Sequence, residues 1–288
     1  MENLKTIKIV SGGQTGADRA GLDWAIKNGI EHGGWCPKGR RSEDGTIPSQ
    51  YQLQETPSPD YLQRTEWNVR DSDGTAIFSL GEKLTGGSLK ALQVVQEHEK
   101  PWIYVCATRD DDPPRQLWQF IRDNHIRVLN VAGPRASEQP EVGSFVTATL
   151  HRLFTPPLIY VVQKHNPKLL GSFLQKEIKP HCVVRAFSDP QQALQSFGSE
   201  ERIPDVLITG LVLEGMGWME LFQECKRLKP SLKVIVFSSM VRADVAAWFE
   251  NKPLKPDVWI NKMDDLGMDA VLAETQNFVR FRWPNDKS

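Results

Sequence analysis

Short runs of β-branched and aliphatic residues alternate with longer amphipathic segments along the first half of the chain. Such runs are typical of buried strands, and apolar residues at every third or fourth position are typical of helices packed on a sheet. Strands that alternate with helices predict a parallel sheet with helices on both faces. The predicted strands cover residues 6–10, 75–78, 102–105 and 126–131, and the predicted helices cover residues 17–28, 89–99, 115–122 and 142–153.

The alternation is interrupted at Thr155-Pro156-Pro157, because neither proline can continue a helix. Beyond that point the pattern restarts and predicts a small flavodoxin-like sheet. The predicted strands cover residues 158–162, 182–186, 205–209, 233–237 and 257–261, and the helices 168–176, 190–197, 217–228, 244–250 and 268–278. We therefore predict an α/β protein with two doubly wound parallel-sheet domains, Rossmann-like over residues 1–154 and flavodoxin-like over residues 155–288.

The net charge, the apolar stretches and the cysteines limit the kinds of partner and ligand that we expect for this protein. Lysine and arginine number 35 against 36 acidic residues, so the formal net charge is -1 and no general field attracts nucleic acid or an anionic membrane. No apolar stretch approaches the roughly 18 residues that a membrane helix needs, which predicts a cytoplasmic protein. The four cysteines are far apart and form no C-x-x-C pair, so we expect reduced thiols and no metal site.

Two glycine-rich turns each follow a predicted strand and open a predicted helix, at residues 11–16 and 84–88. Backbone N–H groups and the helix dipole collect anions at such turns, and glycine lets a phosphate approach the backbone. In a parallel sheet both turns lie at the carboxyl edge, so we expect them to face one crevice that holds a phosphorylated ligand. The alternative is that the glycines serve only the turn geometry.

Between these turns, residues 35–45 and 64–74 are dense in charge, glycine and tryptophan. Lys38, Arg40 and Arg41 are candidates to neutralise a phosphate, and Trp35 or Trp67 to stack on a planar ring. The alternative for the second segment is a solvated helix surface, on which Arg64, Glu66, Arg70 and Asp71 form ion pairs.

These segments together resemble one family. Residues 11–19 (SGGQTGADR), 33–40 (GGWCPKGR), 64–75 (RTEWNVRDSDGT) and 85–88 (TGGS) are similar to the molybdenum cofactor carrier family, a group of Rossmann-like proteins related to the lysine-decarboxylase-like phosphoribohydrolases. The resemblance spans residues 5–154. It implies that an oligomer binds molybdopterin or a related phosphorylated heterocycle.

The predicted ligand-binding residues come from the two turns and the charged segments. They are Ser11, Gly12, Gly13, Gln14, Thr15, Gly16, Asp18, Arg19, Lys38, Arg40, Arg64, Asn68, Asp73, Thr85, Gly86, Gly87 and Ser88. The phosphoribohydrolases carry a glutamate in the second turn where this chain has Gln93, which cannot act as a general acid or base. Carriage of the ligand is therefore favoured over catalysis, and no catalytic residue is assigned.

The second half is similar to the receiver domains of response regulators. Receiver phosphorylation needs an aspartate after the third strand, an acid pair after the first strand for magnesium, a hydroxyl after the fourth strand and a lysine after the fifth. Gly210 stands at the aspartate position and Gln163-Lys164 replaces the acids, whereas Ser238 or Ser239 and Lys262 remain. This pattern predicts a pseudo-receiver that cannot be phosphorylated and that pairs with a protein partner or with itself. Trp218, Trp248 and Trp259 are candidate anchors of that surface or core residues.

The predicted function is binding or carriage of the molybdenum cofactor, or of a nucleotide-like phosphorylated ligand, by a homo-oligomer. One alternative is a nucleotide-processing enzyme such as a phosphoribohydrolase, with Glu66, Asp71 or Asp73 as its acid. The other is a signalling scaffold whose ligand site is vestigial.

Overall fold

The structure is a computed structural model that describes residues 7–110, 112–178, 182–199, 203–240 and 255–279. These residues divide into two compact units, a first domain over 7–155 and a second domain over 156–279. The predicted helix 244–250 and Trp248 lie outside the described residues. No helix of the described part is long and apolar enough to cross a membrane.

The first domain contains the predicted alternation of strands and helices, with additional short strands between residues 35 and 55. Its strands are β1 (Lys8–Val10), β2 (His32–Gly33), β3 (Trp35–Cys36), β4 (Arg41–Ser42), β5 (Gly45–Thr46), β6 (Gln54–Glu55), β7 (Gly74–Ser79), β8 (Trp102–Cys106) and β9 (Val128–Ala132). Its helices are α1 (Ala17–Lys27), α2 (Tyr61–Arg70), α3 (Gly86–Glu97), α4 (Pro113–Asp123) and α5 (Val142–Phe154).

The main sheet of the first domain has the order β2-β1-β9-β7-β8, and all of its pairings are parallel. Neighbouring residues on β7 show that helices cover both faces. Phe78 packs in the cluster that includes α1, α4 and α5, whereas Ile77 packs with α3 and with Val69 of α2. Because side chains alternate along a strand, the two clusters lie on opposite faces.

The second domain repeats this architecture. Its strands are β10 (Leu158–Val162), β11 (Val183–Phe187), β12 (Val206–Thr209), β13 (Lys233–Ser238) and β14 (Val258–Asn261). Its described helices are α6 (Pro167–Glu177), α7 (Pro190–Ser199), α8 (Trp218–Leu228) and α9 (Gly267–Val279).

The second sheet is parallel and has the order β11-β10-β12-β13-β14, the 2-1-3-4-5 order of flavodoxin and of receiver domains. Alternate residues of β10 again divide between two cores. Tyr160 packs toward α7 and α8, and Val161 packs toward α6 and α9. The prediction of two doubly wound α/β domains is confirmed. Trp218 is only 3% exposed, so it is a core residue and not a surface anchor.

Candidate functional site

The carboxyl edge of the first sheet contains a cavity of about 260 Å³. β1, β9 and β7 are neighbours in that sheet, so the turns that follow them converge there. The lining residues are Gln14, Asp18, Asp60, Tyr61, Leu62, Arg64, Thr65, Asn68, Gly87, Lys90, Ala91, Asn130, Ala132, Gly133, Arg135 and Glu138. Both glycine turns therefore contribute to one cavity, and five of the predicted binding residues line it: Gln14, Asp18, Arg64, Asn68 and Gly87.

The guanidinium group of Arg64 packs against the backbone of the first turn. A Cβ on Gly12 would overlap the guanidinium of Arg64, so a side chain at this position would displace the guanidinium from its present place. Arg64 comes from α2 and its Nη1 donates to the carboxylate of Asp18 at 3.1 Å. The Nε atom of Arg64 is buried and has no hydrogen-bond partner among the described residues. The turn and α2 thus hold a cation whose donors are only partly used.

Asp18 is almost completely buried in the first turn of α1. Burial raises the pKa of this carboxyl, because removal from water disfavours its charged form. Arg64 and the backbone N–H of Gln14 act in the opposite direction by stabilising the carboxylate. Asp18 therefore serves mainly to orient Arg64 beside the cavity.

Gln14 is the second lining residue with an unused donor. Its Oε1 accepts hydrogen bonds from the backbone N–H groups of Thr15, at 3.0 Å, and of Glu43, at 2.9 Å. Its Nε2 is buried and has no partner among the described residues. A buried donor without a partner costs about 1–3 kcal/mol, which an acceptor on a ligand would recover.

The second turn places the start of α3 at the same cavity. Thr85 is the N-cap residue, its side chain makes no capping bond, and the first turn of α3 contains no acid. Gly86 adopts a positive φ of 51°, and Gly87 lines the cavity. Lys90 also lines the cavity, and no carboxylate of the described residues lies within salt-bridge distance of its ammonium group. The helix N-terminus and Lys90 contribute positive potential here, and the carboxylate of Glu138, whose Oε1 would lie 3.3 Å from a Cβ on Gly86, contributes negative potential.

The third turn, which follows β9, was missing from the sequence-based prediction. Gly133, Arg135 and Glu138 line the cavity, and Nε of Arg135 lies 3.4 Å from Oε1 of Glu138. The signal was present, since Gly133-Pro134 follows a predicted strand in the same way as the other two turns. Asp60, Tyr61 and Lys90 were also missed. Asp60 caps α2 through the N–H of Leu62, so it belongs to the helix start.

Several predicted binding residues are used inside the protein. Ser11 donates to the carbonyl of Val131 at 2.6 Å, and the Thr15 hydroxyl donates to Glu43. The guanidinium of Arg19 bonds the Gly13 carbonyl, the Ser42 hydroxyl and the carboxylate of Asp44. The hydrogen bonds that Arg19 and the Ser42 hydroxyl donate to the carboxylate of Asp44 lower the pKa of Asp44 to about 2. They hold the hairpin formed by β4 and β5 against the first turn.

The predicted phosphate contacts of Lys38 and Arg40 are not supported by the structure. Arg40 donates to the backbone carbonyls of Ile47, Pro48, Tyr51 and Leu53 at 2.9–3.1 Å, so its donors brace a loop. Lys38 is exposed and lies outside the cavity lining.

Asp73 lies at the opposite edge of the sheet. It precedes β7, and its carboxylate accepts from the N–H groups of Arg127 and Val128 at the start of β9. Asn68 lines the cavity, but its amide bonds the backbone of Trp35 in both directions. The amide of Asn68 therefore holds the backbone of Trp35 in place and is not available for the predicted contact with a ligand.

The tryptophans and acids of residues 64–74 also lie outside the cavity lining. This segment is largely the helix α2, as the alternative for this segment expected. Of the ion pairs expected there, Arg70 pairs with Asp71, whereas Arg64 is mostly buried and pairs with Asp18 instead. Trp35 and Trp67 pack edge to face with ring centroids 4.6 Å apart, and Trp35 donates to Asp71. Glu66, Asp71 and Asp73 do not line the cavity, so the acids considered for a hydrolase are wrongly placed.

The remaining predicted residues lie in the two turns without lining the cavity. Gly13 and Gly16 have φ values of 74° and 76°, which side chains rarely adopt. The backbone N–H of Ala17 bonds the carbonyl of Pro134 at 3.2 Å and ties the first turn to the third. The hydroxyl of Ser88 is buried without a partner among the described residues.

In the second domain, the receiver positions form a different hydrogen-bond network. Gly210 follows β12 and has no side chain. Gln163 is buried after β10, accepts a hydrogen bond from the ammonium of Lys262, and donates to the carbonyl of Phe237 at 3.3 Å. Lys164 pairs with Glu214 at 3.0 Å. The lysine that would contact a phosphoryl group is thus bound to an amide.

Clusters of three or more histidine, cysteine or acidic side chains that could hold a metal ion are absent from the described residues. All four cysteines are buried, and they form no disulfide bond within the described residues.

Comparison with known proteins identifies the family of the first domain. The model of the circularly permutated YpsA SLOG family matches residues 9–154, which is half of the chain. The chain belongs to this family. The circularly permutated YpsA SLOG match covers every lining residue of the cavity. Among curated proteins, none matches this chain.

Solved structures similar to the chain divide between the two domains. A candidate molybdenum carrier protein from Syntrophus aciditrophicus is 47% identical, with 52% of this chain and 95% of that chain covered and a TM-score of 0.48. The receiver domain of an HD-domain-containing protein from Pseudomonas fluorescens is 21% identical, with 43% and 87% covered and a TM-score of 0.36. The HemR receiver domain from Leptospira biflexa is 15% identical, with 45% and 98% covered and a TM-score of 0.36.

The SLOG family match and the strand order of the second sheet confirm the two resemblances drawn from the sequence. Family and cavity together support a ligand-binding role for the first domain in general terms.

Proposed function

We propose that the first domain binds the molybdenum cofactor, or a related nucleotide-like phosphorylated heterocycle, in the cavity between its glycine turns. The observation that carries this proposal is the pair of buried, unpartnered donors on Gln14 and Arg64. Both residues line one cavity together with the N-terminal end of α3 and Lys90. Phosphate oxygens only accept hydrogen bonds, so a phosphorylated ligand matches the unused capacity of this site.

Charged side chains of Asp18, Asp60, Arg135 and Glu138 also line the cavity, and another part of the lining fits a group that is not charged. Leu62, Ala91 and Ala132 are apolar, and Tyr61 adds an aromatic ring. A heterocycle attached to the phosphate would bury its surface against these side chains. The description of the similar Syntrophus protein as a candidate molybdenum carrier supports molybdopterin as the first ligand to test.

For the second domain we propose an interaction module that does not respond to phosphorylation. The hydrogen bond between Lys262 and Gln163, together with glycine at position 210, supports this role. Its partner is proposed to be another protein or a second copy of this chain, in a homo-oligomer. We also propose a cytoplasmic location, which is supported by four cysteines that form no disulfide bond within the described residues.

The decisive experiment measures binding directly. Native mass spectrometry of the protein purified from its own host is expected to reveal a bound phosphorylated ligand, and calorimetry with molybdopterin and nucleoside monophosphates then ranks the candidates. Lys90→Ala should weaken the bound ligand about tenfold, because a cation beside the phosphate is lost. Lys38→Ala is the matched control, since Lys38 is exposed and outside the lining. Equal affinities of wild type and Lys90→Ala would contradict this placement of the phosphate.

A further inference from the structure

We propose that Gln14 is the specificity determinant of the cavity, and that the hairpin of β4 and β5 fixes the direction of its amide. This inference rests on the proposed binding function. The ligand class that follows is one that presents an oxygen without a proton, as in an ionised phosphate or another oxyanion. A ligand that offers only N–H or O–H groups at this position would be rejected.

The hydrogen-bond network leaves one orientation of the amide. The N–H groups of Thr15 and Glu43 both point at Oε1 of Gln14, at 3.0 and 2.9 Å. A flipped amide would direct its NH2 group at these two donors and leave them without an acceptor. Nε2 is therefore the polar atom that remains for a ligand, and it is the buried atom without a partner among the described residues.

The side chain of Glu43 keeps the tip of the hairpin in place. Its carboxylate accepts from the Thr15 hydroxyl in the first turn. It also accepts from the N–H of Ser137 at 3.2 Å and from the Ser137 hydroxyl in the third turn. Because these bonds join the hairpin to two turns of the cavity, Glu43 acts as a positioning residue. Without its carboxylate, the N–H of Glu43 would be held against Gln14 less firmly, because only the bonds of Arg19 to Ser42 and Asp44 would then fix the hairpin.

The Gln14→Glu variant keeps the acceptor that orients the side chain and removes the donor that is proposed to select the ligand. The new carboxylate still accepts both N–H groups, but it replaces the Nε2 donor by an acceptor that repels anions. The variant should bind adenosine 5′-monophosphate and inorganic phosphate at least about tenfold more weakly. Its melting temperature should fall, because a second carboxylate is buried beside Asp18. Gln14→Met removes the donor without adding charge, so a similar loss there would exclude charge repulsion as the reason.

Gln139→Glu is the matched control. Gln139 also accepts a backbone N–H, that of Leu80 at 2.8 Å, and it lies outside the cavity lining. Its affinity for the same probes should equal that of the wild type. If the wild type binds a probe and Gln14→Glu binds it equally well, the inference is wrong while the binding function stands. If the wild type binds no phosphorylated probe, the proposed function fails and the inference fails with it.

The positioning role of Glu43 is tested by a separate experiment. In Glu43→Ala the side-chain amide protons of Gln14 should exchange faster with solvent in nuclear magnetic resonance spectra, and affinity for adenosine 5′-monophosphate should fall. Glu43→Gln keeps one acceptor oxygen for the Thr15 hydroxyl and the Ser137 N–H, and its NH2 group can donate to the Ser137 hydroxyl, so it should restore most of both properties. In a Gln14→Met background, Glu43→Ala should cause no further loss of affinity. Unchanged exchange of the Gln14 amide in Glu43→Ala would overturn the positioning role.

Discussion

At the scale of single residues, the adjacent glycines Gly12 and Gly13 of the first turn have different structural roles. Gly12 leaves space for the guanidinium of Arg64, whereas Gly13 adopts a φ of 74°. A Cβ on Gly13 would lie 2.5 Å from Cδ1 of Leu53 and 3.1 Å from Cδ1 of Ile47. These side chains belong to a small hydrophobic cluster beneath the loop. A side chain at Gly13 should therefore destabilise the fold, so a loss of ligand binding in such a variant would not by itself show a contact with the ligand.

Gly13→Ala should lower the free energy of unfolding by about 2–4 kcal/mol, because backbone strain adds to a collision in a packed cluster. Gly29→Ala is the control for strain alone. Gly29 also has a positive φ, of 64°, but a Cβ there would meet no atom within 4 Å. Its cost should be about 1–2 kcal/mol. Urea denaturation measures both values, and equal costs would show that the collision is relieved.

At the scale of elements, the loop between β3 and β6 depends on one arginine. Arg40 donates to four backbone carbonyls between residues 47 and 53, which lie in no long strand or helix. Charged donors satisfy carbonyls that would otherwise lose their partners in a partly buried loop. The loop also carries the hairpin of β4 and β5, so Arg40 supports the cavity from a distance.

Arg40→Ala should lower the free energy of unfolding by about 2–4 kcal/mol, since several charge-assisted hydrogen bonds are lost together. Arg40→Lys should recover little, because an ammonium cannot reproduce the planar fork of donors. Lys38→Ala, two residues away and exposed, should leave stability unchanged. Denaturation curves of the three variants provide the measurement. A wild-type stability for Arg40→Ala would show that the loop does not need this brace.

The helix α2 is an element that the sequence pattern alone leaves uncertain. Its N-cap Asp60 is a normal helix start, but among its ten residues only Asn68 and Val69 are buried. Such a weak apolar face gives little periodic signal. The helix is held by polar contacts from distant parts of the chain, including that of Arg64 with Asp18, which is 46 residues away in sequence.

At the scale of the whole molecule, two domains of one architecture differ in what their carboxyl edges retain. At the carboxyl edge of the first sheet, hydrogen-bond donors without partners surround a cavity. At the carboxyl edge of the second sheet, the positions at which a receiver has its acids are occupied by other residues. A Cβ on Gly210 would meet only the Val212 carbonyl oxygen, at 3.8 Å, so space is not the obstacle to phosphorylation. The obstacle is the missing nucleophile, together with the replacement of the magnesium ligands by Gln163 and Lys164.

Acetyl phosphate with magnesium should therefore leave the intact mass of the full chain and its affinity for adenosine 5′-monophosphate unchanged. Gly210→Asp should also remain unlabelled, because the metal ligands are still absent and Lys164 adds positive charge nearby. Mass spectrometry after brief exposure to the phosphodonor tests both proteins. A label mapped near residue 210 in the unmodified chain would contradict the pseudo-receiver assignment.

The sequence by itself determined the alternation of strands and helices, the two parallel sheets and the two glycine turns. Burial along a strand and conformational freedom at a turn depend on the residues at those positions, so local patterns suffice for them. Only the tertiary structure decided which charged side chains line the cavity. Arg19, Arg40 and Arg64 carry the same side chain, and all three belong to the segments that the sequence predicts to bind the ligand. Their hydrogen-bond partners decide their roles, and the fold brings the partners together from distant segments: Arg19 and Arg40 are used by the loop, and Arg64 remains beside the cavity.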